Sequence, residues 1–182
     1  LMDLAAGDHV ILGTPTGSGK SLVALGMLFM GMAQGKRCYY TAPIKALVSE
    51  KFFDLVQVLG RDNVGMITGA THIHTKAPVI CCTADADVGC VAMDEFHYFA
   101  DPDRGWAWQV PLLTLPHTQF MLMSATLGDV TAIAASLEEH TGATCDLVVD
   151  APRPVPLSYD YVTTSLEGTV ELAMRRGEAP LY

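Results

Sequence analysis

Eight consecutive residues, Thr14-Pro15-Thr16-Gly17-Ser18-Gly19-Lys20-Ser21, put two glycines, several hydroxyls and one ammonium into a single short loop. An apolar run, Val10-Ile11-Leu12, precedes them, and a stretch with helical periodicity follows. A strand, a glycine-rich loop and a helix in that order form a concave nest of backbone N–H groups at a helix N-terminus, a natural grip for polyphosphate. In such loops the lysine reaches the β and γ phosphates, and the closing hydroxyl ligates the Mg²⁺ that bridges them. Thr16, Gly17, Ser18, Gly19, Lys20 and Ser21 are therefore the candidate residues for a nucleoside triphosphate, with Lys20 also acting on the transferring group and Ser21 on the metal. The strict pattern has glycine where this chain has Thr14.

A second constellation, Asp94-Glu95-Phe96-His97, directly follows the apolar run at residues 88–93. A carboxylate at a strand end can hold Mg²⁺ through water, and its neighbour can orient and deprotonate an attacking water. Asp94 is the expected metal partner, Glu95 the general base and His97 the group that senses the nucleotide. In isolation an Asp-Glu pair is a solvated loop; it gains meaning from Lys20 upstream.

These groups need a rigid frame. Apolar runs at residues 10–12, 38–42, 64–68, 79–83, 88–93 and 120–123 read as strands. Between them, residues 20–34, 46–59, 105–113 and 130–139 read as helices, several closed by glycine (Gly35, Gly60, Gly142). Continuous apolar strands alternating with helices predict an α/β fold with a mostly parallel sheet covered on both faces. After Pro152, Pro154 and Pro156 there remain one expected strand, 157–162, and one helix, 166–176. That remainder is too small for a domain, so residues 1–151 are expected to form one unit and 152–182 a linker with the start of a second.

The chain has 182 residues, half of them apolar, which is ample for a core. The apolar stretch at residues 22–32 is too short to span a bilayer, and no membrane partner is expected. Five cysteines without metal-type spacing are expected to be buried free thiols in a reducing, cytoplasmic compartment. The net charge of −9 argues against a broad basic surface for nucleic acid, although helix N-termini and hydroxyls can hold phosphates without net positive charge. His72 and His74 are expected on an exposed loop with no third metal ligand nearby. Met27, Met30 and Met32 are expected to be core filler, and at least one of Trp106 and Trp108 to be a structural aromatic, with base stacking as the alternative.

Taken with Ser124-Ala125-Thr126, which follows the run at 120–123, the set resembles the DExH-box helicases of superfamily 2, and specifically the Ski-like RNA helicases. The resemblance is carried by Ala42-Pro43-Ile44-Lys45-Ala46-Leu47 with Glu50-Lys51, Thr68-Gly69, Asp94-Glu95-Phe96-His97-Tyr98, Arg104-Gly105 with Trp108, Met123-Ser124-Ala125-Thr126-Leu127 and Arg153-Pro154-Val155-Pro156-Leu157. It implies a RecA-like first motor domain that uses ATP and Mg²⁺. It also implies that Ser124 and Thr126 sit between the phosphate loop and the Asp94 strand, coupling hydrolysis to RNA. Pro43, Lys45, Ala46, Thr68, Gly69 and Thr83 match family positions that hold the backbone of single-stranded nucleic acid, a grip indifferent to sequence. Without the resemblance, residues 43–47 begin a helix and Thr68-Gly69 is a turn.

The chain departs from the family at Ala70, where the family has an aspartate after Thr-Gly. The glutamine motif that reads adenine is not present, nor are the second motor domain's motifs and its arginine finger. An arginine finger is worth about 10³ to 10⁵ in rate in analogous systems, so these residues alone are expected to be a weak ATPase and no helicase. Parallel strands at 79–83 and 88–93 need a crossover of about a dozen residues. Where the family has a short helix, too few residues intervene here, so a segment is expected to be missing near Ala84-Asp85. The alternatives are a P-loop ATPase acting on a protein or small molecule, which the acidic charge suits, and a DNA rather than RNA helicase.

Overall fold

The computed structural model describes residues 1–83, 88–149, 151–152, 161, 163 and 165–177. One eight-stranded sheet organises it: β1 (His9–Gly13), β2 (Cys38–Thr41), β3 (Val64–Thr68), β4 (Thr71–Ile73), β5 (Val79–Cys82), β6 (Cys90–Met93), β7 (Gln119–Ser124) and β8 (Cys145–Val148). The spatial order is β4-β3-β5-β2-β6-β7-β1-β8, and all neighbours are parallel except β3 and β4. The helices are α1 (Met2–Ala6), α2 (Lys20–Ala33), α3 (Lys45–Leu59), α4 (Trp106–Thr114), α5 (Thr131–Thr141) and α6 (Leu166–Arg176), with short 3₁₀ turns at Arg61–Asn63 and Phe96–Ala100.

The inner strands β2, β5 and β6 are buried along their whole length, which is why they read as unbroken apolar runs. Successive side chains point to opposite faces, so Val10 and Leu12 join Met27, Leu28, Phe52 and Leu55 in one core layer. Ile11 instead joins Trp108, Leu112 and Leu137 in the other. Helices α1 to α3 thus cover one face, and α4 and α5 the other. This is the mostly parallel, doubly covered α/β fold expected.

Helix α2 lies close against the sheet at Gly31, where a Cβ would come within 2.3 Å of Cys38 Sγ and 2.9 Å of Cys90 Sγ. All five cysteines are free, four of them buried and Cys145 half-buried. Burial pushes the Cys81 thiol up to about 12, leaving it protonated and unreactive. Met27 is buried in α2 and Met30 and Met32 pack against the same layer. Trp108 is buried, whereas Trp106 is exposed.

Three elements were not expected: α1, the antiparallel β4 and the edge strand β8. All are short and lie at the periphery, where apolar patterning is weak; β8 exposes most of its residues. His72 therefore lies on a strand, opposite Ile67, and not in a loop; His74 follows it with a positive φ of 42°. Strands β5 and β6 are parallel as expected, but β2 lies between them and pairs with both. The suspected missing segment near Ala84-Asp85 falls outside the described residues, as does the strand expected at 157–162 apart from Tyr161. Among the described residues no helix is long and apolar enough to cross a membrane.

His9 shows how tightly the frame is specified. It is 1% exposed; its Nδ1 accepts the Phe120 N–H at 3.0 Å, and its Nε2 lies 2.7 Å from Thr141 Oγ1. An accepting Nδ1 requires the neutral ring. Burial accordingly holds the imidazole below its usual range, against the opposing pull of Asp8 and Glu138. Above the unfolded-state value, about 6.5, both states are neutral and the contribution to stability is complete. As pH falls from there toward the lower folded value, only the unfolded chain takes up a proton, and the contribution is lost. His9→Phe is expected to flatten that acid-side loss and to destabilise the fold by about 1–3 kcal/mol, because the Phe120 N–H loses its acceptor. Urea unfolding of both proteins at neutral and mildly acidic pH measures both effects.

Candidate functional site

Because β1, β2, β3, β5, β6 and β7 run in parallel, their C-terminal ends open onto one edge of the sheet. Ligands of open α/β sheets bind along this edge. The order β6-β7-β1 brings three motifs together: the loop after β1, Asp94-Glu95 after β6, and Ser124 to Thr126 at the end of β7 between them.

The loop after β1 turns through Gly17 (φ 81°) and Gly19 (φ 90°), torsions that an L side chain rarely adopts. Nothing lies within 4 Å of where a Cβ would stand at either residue, so the requirement is torsional and the space over the loop is open. Thr14, the departure from the strict pattern, braces the loop: its Oγ1 lies 2.7 Å from Ser18 Oγ. Gly19 caps α2 without a side-chain acceptor, leaving the first amides of the helix free for an anion. Lys20 Nζ donates to the carbonyls of Thr14 (2.5 Å) and Pro15 (3.0 Å), under the arch of the loop. Partial burial lowers its pKa, while the charges of Asp94 and Glu95 act in the opposite direction. The two carboxylates thus lie near enough for their charges to act on the ammonium. Ser21, in the first turn of α2, is exposed.

Asp94 is fixed at several points. Its N–H donates to Thr41 O at the end of β2 (2.9 Å), its Oδ1 accepts the Glu95 N–H (2.9 Å), and its Oδ2 accepts the Tyr40 hydroxyl. Glu95 adopts a left-handed backbone (φ 52°, ψ 45°), which is unusual for a side-chain-bearing residue and typical of functional turns. Glu95 Oε2 lies 3.2 Å from His97 Nδ1, which is also 3.0 Å from Ser124 Oγ. Ser124 Oγ in turn accepts the Thr126 N–H at 3.2 Å. A continuous polar chain therefore runs from Glu95 through His97 and Ser124 to Thr126, linking the ends of β6 and β7. Polar contacts of this kind can pass a change at Glu95 to the end of β7.

The other half of the edge, β3-β5-β2, presents the remaining candidates side by side. Pro43, Lys45 and Ala46 follow β2, Thr68 ends β3 with Gly69 next to it, and Thr83 follows β5. A helix does begin within residues 43–47: α3 starts at Lys45 behind Ile44, which offers no side-chain cap, so the first amides of α3 are unpaired within the helix. Gly69 and Ala70 form the two-residue turn joining β3 and β4. The Thr68 hydroxyl is buried without a hydrogen-bond partner among the described residues. Tyr40 was not expected at the site; it sits in an apolar run, and its place in the sequence carries no signal of its partner.

Comparison with known proteins fits this geometry. The "DEAD/DEAH box helicase" family model matches residues 1–133. The "Probable helicase HelY" of Mycobacterium tuberculosis is 35% identical over 168 residues, covering 85% of this chain and 18% of the relative. The "Antiviral helicase SKI2" of Saccharomyces cerevisiae is 32% identical over 168 residues, covering 85% of this chain and 13% of the relative. "Superkiller complex protein 2" of Homo sapiens is 30% identical over 177 residues, with 90% of this chain and 14% of the relative covered. The chain thus spans less than a fifth of the length of these curated relatives. Among solved structures, a "hypothetical ATP-dependent RNA helicase from Sulfolobus tokodaii" superposes with a TM-score of 0.61 at 16% identity, covering 81% of this chain and 50% of that one. The DUF1998 helicase MrfA gives the same score at 20% identity, covering 82% of this chain and 29% of its own. Sheet order, phosphate loop and family match agree: the chain belongs to the DEAD/DEAH box helicases and carries their RecA-like fold.

Proposed function

We propose that the chain is the first motor domain of an ATP-dependent RNA helicase of the Ski-like kind, binding Mg–ATP on β6-β7-β1 and single-stranded nucleic acid on β3-β5-β2. The observation that carries this reading is the division of one sheet edge into those two adjoining halves, with β2 and β6 paired at the boundary.

The residues fit the nucleotide. The Gly17 and Gly19 turn and the uncapped start of α2 present amides into open space, and Thr16 and Ser18 add hydroxyls. Lys20 is placed to exchange its carbonyl partners for phosphate oxygens, while Ser21 and Asp94 would hold Mg²⁺, the latter partly through water. Bound magnesium would neutralise charge on the β and γ oxygens. Glu95 orients and deprotonates the attacking water, and its contact with His97 transmits the state of the site to Ser124 and Thr126. On the other half of the edge, the amides that open α3 and the residues Pro43, Lys45, Ala46, Thr68, Gly69 and Thr83 contact backbone phosphates without reading bases.

A second RecA-like domain of the same protein is the expected partner, supplying an arginine finger, with residues 152–182 as the link to it and residues 1–151 as the first unit. The free thiols support a reducing, cytoplasmic setting.

ATP turnover by the complete protein, measured with and without single-stranded RNA, tests the reading: RNA is expected to raise the rate. A rate indifferent to RNA would favour an ATPase with a protein or small-molecule partner, which the net charge of −9 suits. Greater stimulation by single-stranded DNA run in parallel would reassign the polymer.

A further inference from the structure

The Asp94 carboxylate is held more firmly than a metal partner on a loop would be by its own turn. Its Oδ1 is fixed from within the turn by the Glu95 N–H at 2.9 Å, but its Oδ2 is fixed from the neighbouring strand by the Tyr40 hydroxyl. The register places Tyr40 opposite Ala92 and Thr41 opposite Met93, so the phenol reaches the residue just beyond β6. Thr41 O secures the Asp94 backbone from the same strand.

We propose that Tyr40 is a positioning residue of the nucleotide site, orienting the Asp94 carboxylate for its magnesium partner role. This inference rests on the nucleotide-site reading above.

The physical argument starts from donor counting. An ionised carboxylate offers about four lone-pair directions. Two are occupied by the Glu95 amide and the Tyr40 hydroxyl on different oxygens, which fixes the plane of the group and leaves the other two directions for metal-bound water. Tyr40 is 2% exposed, so its hydroxyl has no supply of water to fall back on, and Asp94 is its acceptor. Burial and the adjacent Asp94 charge both raise the phenol's pKa, which keeps it a donor throughout the working pH range. Packing alone would be met by phenylalanine, since the ring already fills the layer shared with Ala92 and Val48. The hydroxyl is what serves Asp94.

The test uses the complete protein and a fluorescent, non-hydrolysable ATP analogue, titrated first in EDTA and then with rising Mg²⁺. Tyr40→Phe is expected to bind the analogue in EDTA as the native protein does, yet to need about tenfold more Mg²⁺ for tight binding, the usual scale of losing an outer-shell partner. ATP turnover by the variant should fall at low Mg²⁺ and recover at high. Combined with Asp94→Ala, Tyr40→Phe should produce no further shift. A native Mg²⁺ requirement in Tyr40→Phe, an equal loss of affinity in EDTA, or a shift that persists in the Asp94→Ala background would each overturn the proposal. Failure of the native protein to bind the analogue at all would instead bring down the nucleotide-site reading, and this inference with it. Circular dichroism establishes that the variant folds; should it not, fluorotyrosine at position 40 replaces it. Its more acidic phenol is expected to shift the Mg²⁺ requirement, and an unchanged requirement would overturn the proposal.

Discussion

Lys20→Ala is expected to reduce nucleotide affinity by at least about 10²-fold and to leave no measurable turnover. The ammonium is the one cation on the phosphate loop itself, and each hydrogen bond it gives to an ionised phosphate contributes about 1.5–3 kcal/mol. Two such bonds correspond to roughly 10² to 10⁴ in Kd. The variant also removes the two contacts by which Lys20 ties α2 to the Thr14 and Pro15 carbonyls, so the loop loses a brace along with the charge. Lys20→Arg separates the two effects: it keeps the charge, but its planar fork cannot fit under the arch as a compact ammonium does. Calorimetric titration with ATP reads the loss directly. Native affinity in Lys20→Ala would remove the loop from the nucleotide site.

Glu95→Gln should behave oppositely, with nucleotide binding kept and turnover lowered by about 10²- to 10⁴-fold, the usual contribution of a positioned general base. Glutamine is nearly isosteric and keeps a polar group beside His97 Nδ1, and the His97–Ser124 bond involves no atom that changes. The left-handed backbone at position 95 is held by the Glu95 N–H to Asp94 Oδ1 and by the Tyr98 N–H to Glu95 O, neither of which involves the side chain that changes. The change removes the basicity and the negative charge and leaves these backbone contacts in place. Single-turnover hydrolysis beside equilibrium binding distinguishes the two quantities, and undiminished turnover in the Gln variant would transfer the role of base to another group.

Much of the frame was legible in the chain, and the reason is the same for each legible part. Residues 64–68 were expected as a strand and β3 has those bounds; α6 likewise matches residues 166–176. Gly60 and Gly142, read as helix ends, are the C-caps of α3 and α5. Apolar period, glycine punctuation and turn chemistry act over a few neighbouring residues. The peripheral β4, β8 and α1 escaped because elements of three to five residues at an edge bury too little to leave a period.

The phosphate loop stood out because gripping polyphosphate needs consecutive amides, and so consecutive residues of particular types. Asp94, Glu95 and His97 were legible as a group for a similar reason, lying together after one strand. Other features of the edge were fixed only by the packed sheet. It places β7 between β6 and β1, so that His97 meets Ser124, and it sets β2 beside β6, so that a tyrosine from an apolar run reaches a carboxylate 54 residues further on. Sequence by itself determined which chemical groups the chain possesses and the local turns that present them. Tertiary structure decided which groups meet, because strand order and register are settled by burying two core layers at once, a property of the whole sheet that no short window of residues contains.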